Sequence, residues 1–180
     1  MNLAMNGRTP VVRCELTPFR AIGERERLAA DRVLRSGKLS SYIGAGGPGF
    51  MGGEEVRAFE SAAADAFGVR HALGVNSWTS GLIAIVGALG LEPGDEVITT
   101  PWTMCATATS ILHWAGVPVF ADIDPVSFNI DPASVEALVT PRTRAILAAD
   151  IFGLSADVAA LRQIADRHGL VLIGDTAQAP

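Results

Sequence analysis

Polar side chains follow closely on a short apolar run near the end of the sequence. Residues 170–173 predict a buried strand, and Asp175, Thr176 and Gln178 come within five residues of it. In open α/β sheets, ligands bind just beyond the carboxyl ends of the strands. A carboxylate there is a candidate partner for a cationic ring nitrogen, because it keeps the ring protonated and able to accept electrons. A turn or helix-capping role for Asp175 is the alternative, and the sequence leaves both open.

A second group of polar residues lies between a predicted strand and a predicted helix. Residues 76–81 read Asn-Ser-Trp-Thr-Ser-Gly, with hydroxyls at Ser77, Thr79 and Ser80. The free N–H groups and the dipole at a helix N-terminus attract phosphate. Ordinary N-capping by Ser77 or Thr79 is the alternative interpretation.

Two further loops are expected at the same edge of the sheet. In residues 100–105, Trp102 or Met104 could form an apolar wall against a planar ring, or both could belong to the core. In residues 150–155, Asp150 and Ser155 could contact a ligand or cap the next helix.

The pattern along the chain predicts the elements that position these loops. The predicted strands are residues 71–75, 96–100, 117–121, 144–149 and 170–173, and the predicted helices among them are residues 79–89, 103–114, 134–139 and 157–168. Strands that alternate with helices at this spacing indicate an α/β fold, with a mostly parallel sheet and helices on both faces.

The first third of the chain has a different pattern. Residues 1–53 are predicted to form an N-terminal arm, a helix at 24–35 and a glycine-rich loop, and a further helix at 54–67 opens the second domain, residues 54–180. The loop contains Gly44-x-Gly46-x-x-Gly49, formally a dinucleotide fingerprint. Because no apolar strand precedes it, we interpret it as a loop near a ligand.

Composition excludes several classes of function. The chain has 180 residues, 49% of them hydrophobic, and a net charge of −5, which argues against nucleic-acid binding. Its two cysteines have no metal-ligand spacing, so no metal site is expected. No apolar run approaches the ~20 residues that cross a bilayer. The expected location is the cytoplasm. Lys38 is the only lysine.

Several ordered sequence blocks together resemble the DegT/DnrJ/EryC1/StrS family of pyridoxal-phosphate (PLP) aminotransferases. The blocks are residues 74–81 (GVNSWTSG), 93–103 (PGDEVITTPWT), 106–108 (ATA), 118–132 (PVFADIDPVSFNIDP), 140–146 (TPRTRAI), 150–153 (DIFG) and 174–179 (GDTAQA). The resemblance implies a fold-type I, aspartate-aminotransferase-like large domain, truncated at its C-terminal side. It also implies a homodimer that aminates a keto-sugar or cyclitol, with glutamate or glutamine as the amino donor.

The resemblance also implies roles for individual residues. Asp175 matches the partner of the pyridine nitrogen, and Gln178 the residue near the ring hydroxyl. Ser77, Trp78 and Thr79 match the Ser-Gly-Thr phosphate turn, with Trp78 in place of glycine. Met104 occupies the position of a ring-stacking aromatic, and Trp102 lies two residues away.

The family's Schiff-base lysine follows the Asp-x-Ala-Gln-Ala block, and Lys38 matches no catalytic position. The resemblance therefore predicts that these 180 residues form the N-terminal part of an aminotransferase and are inactive alone. Two alternatives stay open. One is a lysine-less binding or assembly partner, such as half of a split site. The other is a PLP-dependent sugar dehydratase.

Overall fold

The chain divides into two compact units, Met1–Leu73 and Gly74–Pro180. The computed structural model describes residue 14 and residues 18–39, 41–47 and 49–179. Most of the predicted N-terminal arm lies outside these ranges. The domain boundary expected after residue 53 stays a prediction.

The first unit contains the two predicted helices. Helix α1 is Glu24–Ser36 and helix α2 is Glu54–Phe67. Each is followed by a glycine in the left-handed conformation, Gly37 or Gly68, as is common at helix C-termini. An ion pair between Arg32 and Glu55, 2.9 Å from nitrogen to oxygen, connects the helices. The described residues between α1 and α2 form turns and bends, in agreement with the predicted loop.

The second unit is built on a parallel sheet of four strands. The strands are β1 (Glu96–Thr99), β2 (Val117–Phe120), β3 (Thr143–Ala149) and β4 (Val171–Asp175), in the spatial order β2-β1-β3-β4. Every neighbouring pair is parallel, as predicted. The connection from β1 leads outward to β2 on one side, whereas β3 and β4 lie on the other side. The strand order therefore changes direction between β1 and β3.

Helices cover both faces of the sheet. They are α3 (Trp78–Gly87), α4 (Cys105–Leu112), α5 (Pro132–Leu138) and α6 (Val158–His168). Successive residues of a strand point to opposite faces. In β1, Val97 accordingly packs with α3 and α4, whereas Ile98 packs with α5 and α6. Both residues are fully buried, so the predicted two-sided α/β fold is confirmed.

One predicted strand is absent. Residues 71–75 form no ladder with any strand of the described chain, and the side chains of Leu73 and Val75 are exposed. An apolar run becomes a strand only where a neighbouring backbone pairs with its N–H and C=O groups. The prediction of a strand at 71–75 is therefore wrong for this structure.

The last strand is longer than predicted. Gly174 and Asp175 continue the ladder, opposite Ala148 and Ala149 of β3. The apolar run ends at Ile173, but the hydrogen bonding of the backbone does not. Asp175 is thus the last residue of the strand, which fixes its backbone. None of the helices in the described ranges is long and apolar enough to cross a membrane.

Candidate active site

The loops after β1, β3 and β4 meet the N-terminus of α3 at the carboxyl edge of the sheet. The strand order changes direction there, which is where open α/β sheets bind their ligands. A cavity of about 130 Å³ opens at this position. It is lined by Trp78, Thr79, Leu82, Thr103, Met104, Ala106, Ala149, Asp150, Ile151, Asp175, Ala177 and Gln178. Among these lining residues there are two carboxylates and no Lys, Arg or His.

Asp175 is buried in the wall of this cavity, with both carboxylate oxygens hydrogen-bonded. Its Oδ1 accepts from the indole Nε1–H of Trp78 at 2.5 Å, and its Oδ2 accepts from the hydroxyl of Thr107 at 2.8 Å. The Thr107 hydroxyl in turn lies 2.9 Å from that of Thr103. Because Thr107 gives its proton to the carboxylate, it must accept from Thr103. Donors from two helices thus fix the orientation of Asp175.

Trp78 reaches Asp175 from the first position of α3. Its ring lies close along the first turn of the helix, so that a Cβ added at Gly81 would be 3.4 Å from the ring atom Cε3. The predicted family pattern places glycine at position 78. The structure shows that the tryptophan side chain is directed to the Asp175 carboxylate.

The N-terminus of α3 is formed by the Ser-Trp-Thr turn. Ser77 is the N-cap, and its Oγ accepts from the backbone N–H of Ser80 at 3.2 Å. The capping interpretation of Ser77 is therefore correct. The N–H groups of Trp78 and Thr79 have no acceptor among the described residues. Both residues line the cavity, and the first turn of a helix is a favourable position for an anion.

The loop after β1 separates the two candidate ring-stacking residues. Met104 lines the cavity and is the N-cap of α4. Trp102 is not among the lining residues. Its ring stacks on Phe128, with 6.0 Å between ring centroids, and Phe128 contacts Phe152 edge-on at 6.1 Å. Of the two, the structure therefore brings Met104 to the cavity.

The loops after β3 and β4 are held together by hydrogen bonds. The Asp150 backbone N–H donates to the Asp175 carbonyl at 3.0 Å, and the Asp150 carboxylate accepts from the N–H of Ala156 at 2.8 Å. The side-chain oxygen of Gln178 accepts from the N–H of Phe152 at 2.6 Å. Asp150 therefore stabilises its own loop. Ser155 is not among the lining residues, and its hydroxyl contacts the Ala156 carbonyl at 3.2 Å.

Thr103 and Thr107 were not identified from the sequence. Thr107 is fully buried, although its side chain is polar. A signal was available, because the two threonines are four residues apart at the start of a helix and therefore share one face. A polar pair on the face that meets the sheet indicates a buried hydrogen-bond partner.

Known proteins similar to this chain show the family to which it belongs. The model of the DegT/DnrJ/EryC1/StrS aminotransferase family matches residues 22–180. The chain belongs to this family.

Two curated relatives show the degree of similarity. The chain is 42% identical, over 88% of its length, to the spore coat polysaccharide biosynthesis protein SpsC of Bacillus subtilis, and covers 38% of that protein. It is 41% identical, over 84% of its length, to an L-glutamine:2-deoxy-scyllo-inosose aminotransferase of Streptomyces kanamyceticus, and covers 34% of it.

Solved structures have the same fold. 3-Amino-5-hydroxybenzoic acid synthase superposes with a TM-score of 0.82 at 33% identity, over 92% of this chain and 41% of that one. NtdA of Bacillus subtilis, solved with its cofactor PMP bound, gives 0.75 at 33% identity, over 85% and 33%. The chain therefore has the fold of fold-type I sugar aminotransferases. It spans between 33% and 41% of the length of these four relatives.

Proposed function

We propose that the protein is a PLP-dependent aminotransferase that transfers an amino group to a keto-sugar or a cyclitol ketone. The observation that carries this proposal is the placement of Asp175. It is a buried carboxylate, oriented by two neutral donors, in a cavity that also contains free N–H groups at a helix N-terminus. The family match supports the same reaction class.

The chemical groups around the cavity fit pyridoxal phosphate. The Asp175 carboxylate would hold the protonated ring nitrogen. The N–H groups of Trp78 and Thr79, with the hydroxyls of Thr79 and Ser77, would bind the phosphate. Met104 would contact the ring face through its thioether. When bound, the cofactor supplies an electron sink that stabilises negative charge on the substrate carbon.

Gln178 has a more limited role in this proposal. Its side-chain oxygen accepts from the N–H of Phe152. The NH₂ of the side-chain amide is then free to donate to the ring hydroxyl, near which the resemblance places this residue. Trp102 stacks with Phe128 outside the cavity lining. We therefore assign the ring contact to Met104.

Amino transfer also needs a lysine that holds the cofactor and moves the proton between substrate and cofactor. Residues 74–180 contain no lysine, and Lys38 is the only one in the sequence. We propose that the catalytic lysine follows the Asp175 block in the whole enzyme and that Lys38 has no catalytic role. Glutamate or glutamine is the proposed amino donor.

Two more features belong to this proposal, namely a homodimer and a cytoplasmic location. The homodimer is implied by the family, and the location by the composition. Sedimentation equilibrium of the whole protein tests the first. A chain that stays monomeric when saturated with cofactor would contradict it.

The test of the function compares Asp175→Asn with Asp166→Asn in the full protein. Asp166 lies on the exposed side of α6, in a 3.7 Å ion pair with Arg162, and is the matched control. We expect Asp175→Asn to weaken binding of pyridoxamine 5′-phosphate, measured by equilibrium dialysis, by about thirtyfold or more, since one partner of a buried charge pair is lost. Asp166→Asn should bind like the wild type.

Turnover with glutamine and a keto-sugar should fall by about 100-fold in Asp175→Asn, the loss typical of one preorganised electrostatic partner. Unchanged turnover would refute the proposed role of Asp175.

Borohydride reduction of the PLP-loaded protein separates the alternatives. One labelled lysine beyond residue 180 supports the aminotransferase. Cofactor binding without any labelled lysine favours the dehydratase or the split site, and absence of cofactor binding favours the assembly partner.

A further inference from the structure

We infer that Trp78 is a positioning residue, whose indole N–H fixes the Asp175 carboxylate in the orientation that receives a ring nitrogen. This inference rests on the proposed function and deepens it. The sequence pattern of this turn predicts a phosphate site or an ordinary N-cap, whereas in the structure its longest side chain, that of Trp78, donates to Asp175.

The geometry leaves the carboxylate both fixed and available. Asp175 is the last residue of β4, and only 7% of it is exposed. Trp78 holds Oδ1 from α3, and Thr107 holds Oδ2 from α4. The Ala177 N–H adds a longer contact to Oδ1, at 3.4 Å. An ionised carboxylate accepts about four hydrogen bonds. With these three contacts, Oδ2 still has room for a further donor from the cavity that Asp175 lines.

The chemical type of the donor is important. An indole N–H is neutral and can only donate, so it orients the carboxylate without cancelling its charge. An arginine at the same position would form an ion pair and compete with a cationic ring. The arginines of residues 74–180 are Arg142, Arg144, Arg162 and Arg167, and each forms an ion pair elsewhere in this unit. Asp175 is therefore left without a cation from its own unit.

Trp78 also connects the two ends of the proposed ligand site. Its backbone N–H is one of the two free donors at the N-terminus of α3, and its side chain holds Asp175. A shift of the first turn of α3 would therefore move the phosphate donor and the carboxylate partner together. This explains physically why a large residue occupies the position where the family pattern has glycine.

The test uses Trp78→Phe, which keeps an aromatic ring but removes the N–H donor together with the five-membered part of the indole. Trp114→Phe is the matched control, because the Trp114 indole N–H donates to the carbonyl of Ile83 at 2.7 Å and does not contact the cavity. Both variants lose one indole hydrogen bond to the second unit. Only the first loses the bond to Asp175.

We expect Trp78→Phe to bind pyridoxamine 5′-phosphate about tenfold more weakly, the loss typical of one hydrogen bond to a charged group. With the cofactor labelled with ¹⁵N in its ring, the ring resonance should move toward the unprotonated value in Trp78→Phe and stay unchanged in Trp114→Phe. An unchanged affinity and resonance in Trp78→Phe would overturn the inference. Tighter binding would overturn it as well, because Trp78 would then be a competitor.

A measurement on the wild type keeps the inference testable if Trp78→Phe does not fold. The indole N–H resonances are assigned with Trp114→Phe and Trp102→Phe. Addition of pyridoxamine 5′-phosphate should shift the Trp78 resonance and leave that of Trp114 in place. Binding without a shift at Trp78 overturns the positioning role while the proposed function stands. Absence of binding refutes the proposed function, and the positioning role with it.

Discussion

The two ends of the sheet use carboxylates in opposite ways. At the amino end, Glu96 is the first residue of β1. Its carboxylate forms an ion pair with Arg142 at 2.5 Å and accepts a hydrogen bond from the hydroxyl of Thr140 at 2.5 Å. At the carboxyl end, Asp175 finishes β4 and is bonded to an indole and a hydroxyl. Both carboxylates are buried. One is paired with a cation and the other is not.

The pKa values at the amino end show what this pairing does. The hydroxyl of Thr140, followed by Arg142, lowers the pKa of Glu96. Arg144 and the backbone N–H of Glu92 lower that of Asp95. His168 and Arg167 lower that of Glu136. Each of these groups has its ionised form stabilised by a partner inside the fold.

Under the proposed function, the difference between the ends assigns stability to one end and ligand binding to the other. Ion pairs close the amino end, where β1 and β3 begin and α6 finishes. At the carboxyl end, neutral donors orient the Asp175 carboxylate, which has no ion pair with the arginines of residues 74–180. Variants of Glu96 should therefore change stability without changing ligand affinity, and variants of Asp175 should change ligand affinity.

The largest expected effect is at the centre of the sheet, which both ends share. Ile146 of β3 is fully buried, and we expect Ile146→Ala to lower the free energy of unfolding by about 2–5 kcal/mol, from lost burial and a residual cavity. Urea denaturation followed by circular dichroism measures this. Val126→Ala, at an exposed position, should change stability by less than about 0.5 kcal/mol. Equal effects would contradict the assigned core.

Next in size is the amino end. Glu96→Gln removes the charge that Arg142 and Thr140 stabilise, and should lower the free energy of unfolding by about 1–2 kcal/mol. The affinity for pyridoxamine 5′-phosphate should remain that of the wild type. Asp166→Asn, in an exposed pair, should lose less than about 0.5 kcal/mol. A large loss of cofactor affinity in Glu96→Gln would break the proposed separation of the two ends.

The same carboxylates predict an acid-sensitive fold. The folded-state pKa values of Asp95, Glu96 and Glu136 are lowered, so their stabilisation is complete above the unfolded pKa values of about 4. It is lost as the pH falls through the lower folded values. Unfolding free energy, measured by urea titration, should be flat from pH 7 to about 5 and fall below that. In Glu96→Gln the fall should be less steep, and an identical pH profile would contradict the assigned role of Glu96.

The layers of the fold could be predicted from the sequence, because the spacing of apolar residues indicates which residues are buried. The apolar run at residues 144–149 has paired strands on both sides, and it forms a strand as predicted. Residues 71–75 carry a similar pattern, but a strand also needs a pairing partner, which a local pattern does not contain. Sequence reasoning also found Asp175, because it follows such a run.

The contacts around Asp175 were beyond sequence reasoning for a physical reason. Trp78 and Asp175 are 97 residues apart, and Thr107 is 68 residues from Asp175. Long-range hydrogen bonds depend on how helices are placed on a sheet, and no periodicity records that. Position 78 was therefore identified as a departure from the family pattern, and its partner was found only in the structure.

The smallest expected effect compares backbone strain at the two ends. Ala115, before β2 at the amino end, and Phe152, after β3 at the carboxyl end, both have φ of 57°, a left-handed conformation that favours glycine. Ala115→Gly should therefore stabilise the fold by about 0.5 kcal/mol, measured by thermal unfolding. Phe152→Gly relieves the same strain but removes the edge-on contact with Phe128, which is worth about 0.5–1.5 kcal/mol.

Ala115→Gly should therefore raise the free energy of unfolding, and Phe152→Gly should lower it or leave it unchanged. A gain in Ala115→Gly without a gain in Phe152→Gly means that the strain at the carboxyl end is compensated by the contact between the two aromatic rings. Equal gains would mean that this contact contributes nothing to stability. In that case, the strained backbone of Phe152 in the wild type would have no compensation from packing. Such strain is common at functional sites, and the neighbouring Ile151 lines the cavity.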